Sequence, residues 1–198
     1  MRKITLLVGL LASIQMYLVP AHAAELALGS GAPDFQLTDV VTGKIVSRDD
    51  FSSKKALLVI FICRHCPYVQ HVKQALAQLA RDYETQGLAV VAISSNDPAD
   101  APASLKEMAQ QEGFTFPVLF DETQAVARAY GAVCTPDPFL FRADRSLVYH
   151  GQLDSTRPGG SQTATAQDLR AAIEATLSGK PVSKDQKPPA GCSIKWKK

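Results

Sequence analysis

What is missing from the sequence narrows the choices first. There is no excess of charge of either sign, with 21 Lys and Arg against 19 Asp and Glu. No basic stripe interleaves with aromatics, so nucleic acid is not an expected partner. After Val19 no apolar run approaches the roughly 20 residues that span a bilayer. Internal repeats and any sign of a second domain are absent, and the length left after a leader suits one domain with a sizeable core. Tryptophan occurs once and cysteine four times. A domain of this size does not need four cysteines to hold it together, which turns attention to chemistry rather than scaffolding.

The N-terminus has the form of an export leader. Arg2 and Lys3 supply the positive start, Ile4–Val19 is mostly apolar, and Ala21-His22-Ala23 offers small residues at the spacing that signal peptidase cleaves, before Ala24 or Glu25. Ser13 and Gln15 interrupt the run and argue against a retained anchor. Residues 1–24 are therefore expected to be a signal peptide, residues 25–179 a single domain and residues 180–198 a tail rich in Pro and Lys. Removal of the leader takes away Arg2 and Lys3 and balances the charges. The membrane is then met only before cleavage.

Within the domain, Ala56–Ile62 is a continuous apolar, β-branched run and reads as a buried strand. Cys63 ends it, and Cys66 opens a helix to about Gln86, with Val69, Val72, Leu76, Leu79 and Tyr83 on one stripe. Pro67 is tolerated in the first turn, where the N–H has no intrahelical partner. Leu88–Ser94 reads as a second buried strand. A helix to Gly113, a strand within Phe116–Phe120 and a helix from Asp121 to Tyr130 follow. Phe139–Phe141 and Leu147–Gln152 form a hairpin, and Leu169, Ile173 and Leu177 mark a last helix. Upstream, Val41-Thr42-Gly43-Lys44 has the composition of a hairpin turn. The expected fold class is α/β: a mixed central sheet with helices on both faces and an N-terminal β-hairpin extension.

Two thiols two residues apart at a strand-to-helix turn can close a small disulfide ring and open it again. Cys63 is the expected nucleophile and Cys66 the resolving thiol. A helix N-terminus favours a thiolate, and Arg64 and His65 are expected to lower the Cys63 pKa from its free value of about 8.5. A stabilised thiolate favours the reduced form, so a reduction potential above thioredoxin's roughly −270 mV is expected. An inert disulfide or a metal site is the plain alternative for the same pair.

Pro33-Asp34-Phe35-x-Leu37, the dithiol, Phe116-Pro117-Val118-Leu119-x-Asp121, Tyr130-Gly131-Ala132, Thr135-Pro136 and Gly151-Gln152-Leu153-Asp154 occur in the order found in redoxins. The chain resembles this thioredoxin-fold group of AhpC/TSA and exported TlpA-like proteins from Gly31 to Trp196. The resemblance implies a thioredoxin-like fold and a periplasmic, monomeric oxidoreductase that exchanges disulfides with protein thiols and a redox partner, without cofactor or metal. It also implies that Thr135-Pro136 is the cis-proline loop facing the dithiol, where a backbone edge meets an extended peptide. Cys134 departs from the usual pattern. It is open to a relay with Cys63–Cys66, a passive buried role or a disulfide with Cys192, the last being the preferred expectation at about 3–4 kcal/mol. Glu122 and Asp137 are candidates for the proton acceptor of Cys66, and His71 for charge tuning.

Two rival functions follow from the same residues. A peroxiredoxin-type peroxidase requires Pro-x-x-x-Thr-x-x-Cys; those positions hold Ala56 and Ile60 before Cys63, and Val59 and Cys63 before Cys66. A Sco-like copper chaperone would use Cys63, Cys66 and His150, although that group separates its cysteines by three residues rather than two.

Overall fold

A computed structural model describes residues 25–96 and 100–197. The expected signal peptide lies outside the described residues. Among the described residues no helix is long and apolar enough to cross a membrane.

Strand β3 (Ala56–Phe61) sits mid-sheet, and all six of its residues are buried. It is followed by α1 (Pro67–Glu84) and β4 (Leu88–Ser94), which pairs with it in parallel from Ala56↔Leu88 to Phe61↔Ile93. Then come α2 (Pro102–Gln111), β5 (Val118–Phe120), α3 (Ala125–Tyr130), β6 (Cys134–Thr135), β7 (Asp137–Arg142), β8 (Leu147–His150) and α4 (Gln167–Leu177). The hairpin of β1 (Gln36–Asp39) and β2 (Ile45–Ser47) joins the sheet through β1 and β5, giving the order β2-β1-β5-β4-β3-β7-β8. Parallel crossovers build the first half and antiparallel hairpins close the second, which is the thioredoxin-like arrangement expected from the sequence.

Period-two alternation divides β3 between two cores. Leu58 and Ile60 face α1, α2 and α4, among Val69, Leu76, Leu105, Leu169 and Ile173. Leu57, Val59 and Phe61 face α3, among Tyr130, Phe139 and Phe141. Phe61 meets Tyr130 and Phe139 edge-to-face, with centroids 5.5 and 5.9 Å away. Phe61→Ala is expected to cost about 3–5 kcal/mol, read as a lowered midpoint in urea unfolding. A loss below about 1 kcal/mol would show that this aromatic cluster is not a principal support.

Two local departures from the sequence expectation matter for the site. The third helix begins at Ala125 rather than beside Asp121, because Gln124 is left-handed at φ 60°. Asp121 reaches forward instead, accepting from the Ala127 amide at 3.0 Å and the Ser95 hydroxyl at 2.8 Å. The end of the Pro- and Lys-rich tail is also not free in solvent. Cys192–Ser193 forms β9, antiparallel to β6, and Ile194 is buried.

Candidate active site

The dithiol lies where β3 gives way to α1. Apolar strand residues carry the chain to the end of the sheet, and Cys66 is the N-cap residue of α1, with Pro67 in the first turn. Cys63 and Cys66 are both buried, and all four cysteines are free thiols. Cys63 Sγ lies 3.7 Å from Asp100 Oδ1. That carboxylate also accepts from the Arg64 amide at 3.0 and 3.2 Å and from the Ser94 hydroxyl at 2.5 Å. Cys66 Sγ lies 2.9 Å from the Thr135 carbonyl oxygen.

These surroundings reverse the expected division of charge. Burial, followed by the Asp100 carboxylate, pushes the Cys63 thiol up to about 12. Arg64 does not offset this, since its guanidinium is paired with Glu107 at 2.9 Å on α2. The His65 ring is largely exposed and turned towards Asp100, with Nδ1 3.5 Å from Oδ1. The side chains of both residues are therefore engaged by acids, and only the His65 backbone lowers the Cys63 pKa, less than burial and Asp100 raise it. At Cys66, burial opposes ionisation, but the Thr135 side chain, the Val69 amide and Cys192 outweigh it and lower the pKa. The two shifts run in opposite directions, up at Cys63 and down at Cys66, so in this reduced state ionisation is easier at Cys66.

The Thr135–Pro136 peptide bond is cis. Cys134 and Cys192, the preferred disulfide pair, are not joined in this structure, and their strand register turns them apart. Cys134 is opposite Ser193 and Thr135 opposite Cys192, so the two cysteines face opposite sides of the ribbon. Cys134 points towards the Pro136 carbonyl at 3.7 Å, and burial and then Asp137 push its thiol up to about 12. Cys192 instead packs against the core cluster that holds Cys66 and contributes to lowering the Cys66 pKa.

The remaining candidates make no hydrogen bond to either sulfur of the dithiol. His71 bonds to the Thr156 hydroxyl at 2.8 Å, and Glu122 is exposed. Asp137 is fully buried, accepting from His150 Nε2 at 2.7 Å and the Val133 amide at 3.0 Å. His150 also stacks on Phe139, with ring centroids 4.1 Å apart. Among the described residues no group of three or more His, Cys, Asp or Glu side chains is arranged to hold a metal, so His150 does not join Cys63 and Cys66 in such a group.

A model of the AhpC/TSA family matches residues 28–150. The chain belongs to the AhpC/TSA family. It is similar to the thiol-disulfide oxidoreductase ResA of Geobacillus thermodenitrificans, at 30% identity over 75% of this chain and 77% of that protein. A hypothetical protein of Sinorhizobium meliloti, SMc02350, has a crystal structure that superposes with a TM-score of 0.84 at 47% identity, covering 87% of this chain and 96% of that one. The thioredoxin domain of a Bacteroides vulgatus thiol-disulfide oxidoreductase shares the fold, with a TM-score of 0.62 at 19% identity over 77% of this chain and 99% of that one. As a member of the AhpC/TSA family with these relatives, the protein is an oxidoreductase.

Asp100 was not visible as a site residue in the sequence. It follows β4 by six residues in a loop with no motif, and only the fold brings it 37 positions back to Cys63. The packing of Cys192 on the core around Cys66 was equally hidden, although Cys192 and the lone Trp196 in an otherwise solvated tail mark that segment as unusual.

Proposed function

We propose that the protein is an exported thiol–disulfide oxidoreductase, acting in the periplasm on protein disulfides through Cys63 and Cys66. The observation that carries this reading is the juxtaposition of two free, buried thiols at the head of α1 with the strand edge at Thr135. A thiolate at Cys66 attacks a partner disulfide and forms a mixed disulfide. Cys63 loses its proton, attacks Cys66 Sγ and closes the Cys63–Cys66 ring, and the partner leaves as a thiol. Two electrons pass from the dithiol to the partner, and the reverse sequence oxidises a partner dithiol. Asp100 is the group at hand to take the Cys63 proton. The ResA resemblance and the leader-like N-terminus support an exported protein, and the missing Pro-x-x-x-Thr-x-x-Cys pattern argues against peroxide chemistry.

The reduction potential as a function of pH tests the assignment of the two thiols. With both protonated, the potential falls by about 59 mV per pH unit, because two protons accompany two electrons. Above the Cys66 pKa only one proton is taken up, and the slope is expected to halve to about 30 mV. That break should come below the ordinary thiol value, and the next one only near pH 12. Two closely spaced breaks around pH 9 would overturn the division of charge, and failure to cycle with glutathione at all would overturn the function.

A further inference from the structure

The C-terminal segment is built into the site. Strand β9 lies along the edge of β6, and the Gly191 backbone passes so close to Thr135 that a Cβ there would sit 2.1 Å from the Thr135 carbonyl oxygen. Only glycine fits that approach. Beyond β9, the Ile194 amide donates to the Val133 carbonyl at 3.1 Å, and the Lys195 amide donates to Asn96 Oδ1 at 2.9 Å. Gln124 donates to the Lys195 carbonyl at 2.7 Å and accepts from the Lys197 amide at 2.8 Å. Trp196 lies under the Arg128 guanidinium, 4.4 Å from its ring centroid. Asn96 and Gln124 are buried side chains that spend these groups on the backbone of the last residues, which fixes the segment in register rather than leaving it a loose end. That register sets Cys192 opposite Thr135, whose carbonyl touches Cys66 Sγ, and Cys192 packs against the core cluster that contains Cys66.

We propose that β9 occupies the place of a partner's extended peptide and that Cys192 is a third redox thiol, forming a disulfide with Cys66. This rests on the disulfide-exchange reading above. Starting from the oxidised Cys63–Cys66 ring, Cys192 gives its proton to solvent and its sulfur attacks Cys66 Sγ. The Cys66–Cys192 bond forms as the Cys63–Cys66 bond breaks, and Cys63 leaves with the electron pair and takes up a proton. No electrons are gained or lost overall, so no further oxidant is needed. The released Cys63 thiol is protonated at neutral pH, the form that its burial beside Asp100 favours. A partner peptide must displace β9 to reach Cys66, so the same bond both stores the oxidised state and shields it.

The test is disulfide mapping by mass spectrometry of the full chain after equilibration with oxidised glutathione. In Cys63→Ser, Cys66 is expected to appear linked to Cys192. Gly191→Val in that background is expected to reduce this linkage at least severalfold in favour of glutathione on Cys66, and circular dichroism confirms that the variant is folded. Cys66 carrying glutathione in folded Cys63→Ser, with Cys192 free or joined to Cys134, would overturn the proposal. The wild type separates the two readings. A Cys63–Cys66 disulfide that exchanges with glutathione while Cys66–Cys192 never forms defeats only the third thiol, whereas a dithiol that neither oxidises nor exchanges defeats the exchange function as well.

Discussion

Cys66→Ser is expected to abolish disulfide turnover and to leave a site thiol, Cys63, that reacts with iodoacetamide at pH 7 at least about 30-fold more slowly than Cys66 does in Cys63→Ser. Loss of turnover is common to both variants, because attack and ring closure need both sulfurs and such effects do not divide between partners. The alkylation rates separate them. With Cys63 near 12 and Cys66 below the ordinary thiol value of 9, the thiolate population at neutral pH is smaller at Cys63 by at least about a thousandfold. The more basic sulfur is intrinsically more nucleophilic, with a Brønsted coefficient of about 0.4–0.5, which returns some 20- to 30-fold of that difference. A large preference for Cys66 remains. Equal rates, or faster labelling at Cys63, would restore the sequence-based assignment of the nucleophile and contradict the electrostatics of the site.

The fold was legible because each element carried its own local signal. Ala56–Ile62 and Leu88–Ser94 are uninterrupted apolar runs, α1 has a clean stripe from Val69 to Tyr83, and Gly and Pro separate the elements. The dithiol was equally visible, since its two cysteines are neighbours in sequence as well as in space. What escaped were interactions made between distant segments without a local pattern. Arg64 and His65 lie between the two cysteines in the chain, and proximity in sequence suggested an electrostatic role. Glu107 on α2 and Asp100 before it draw both groups away. The charge that does bear on Cys63 comes from a loop residue whose immediate neighbours give no hint of it. Cys134 and Cys192 looked like natural partners as the two cysteines outside the dithiol. A register in which each lies opposite the other's neighbour turns them to opposite faces, and no sequence rule states that register in advance.

Asp100→Asn is expected to raise the alkylation rate of Cys63 at pH 8 by about ten- to a hundredfold, measured in the Cys66→Ser background so that a single site thiol is followed. The substitution keeps the size of the side chain and an oxygen able to accept from the Arg64 amide, while removing a negative charge 3.7 Å from Cys63 Sγ. A pair of unit charges at about 4 Å interacts by about 4 kcal/mol where the effective dielectric constant is about 20, and burial of the sulfur persists in the variant, so part of the upward shift remains. The sign is fixed by the chemistry: Cys63 ionises to an anion, Asp100 repels that anion, and its loss lowers the pKa. In the parent the rate should climb with pH towards about 12, whereas in Asp100→Asn it should level off earlier. Ser94→Ala provides the contrast, since it removes the 2.5 Å hydrogen bond to Asp100 but leaves the carboxylate in place. If the charge governs Cys63, Ser94→Ala leaves the alkylation profile near that of the parent. If both variants accelerate alkylation to the same extent, loosening of the loop rather than loss of charge sets the reactivity of Cys63, and Asp100 is not the proton-handling group of this dithiol.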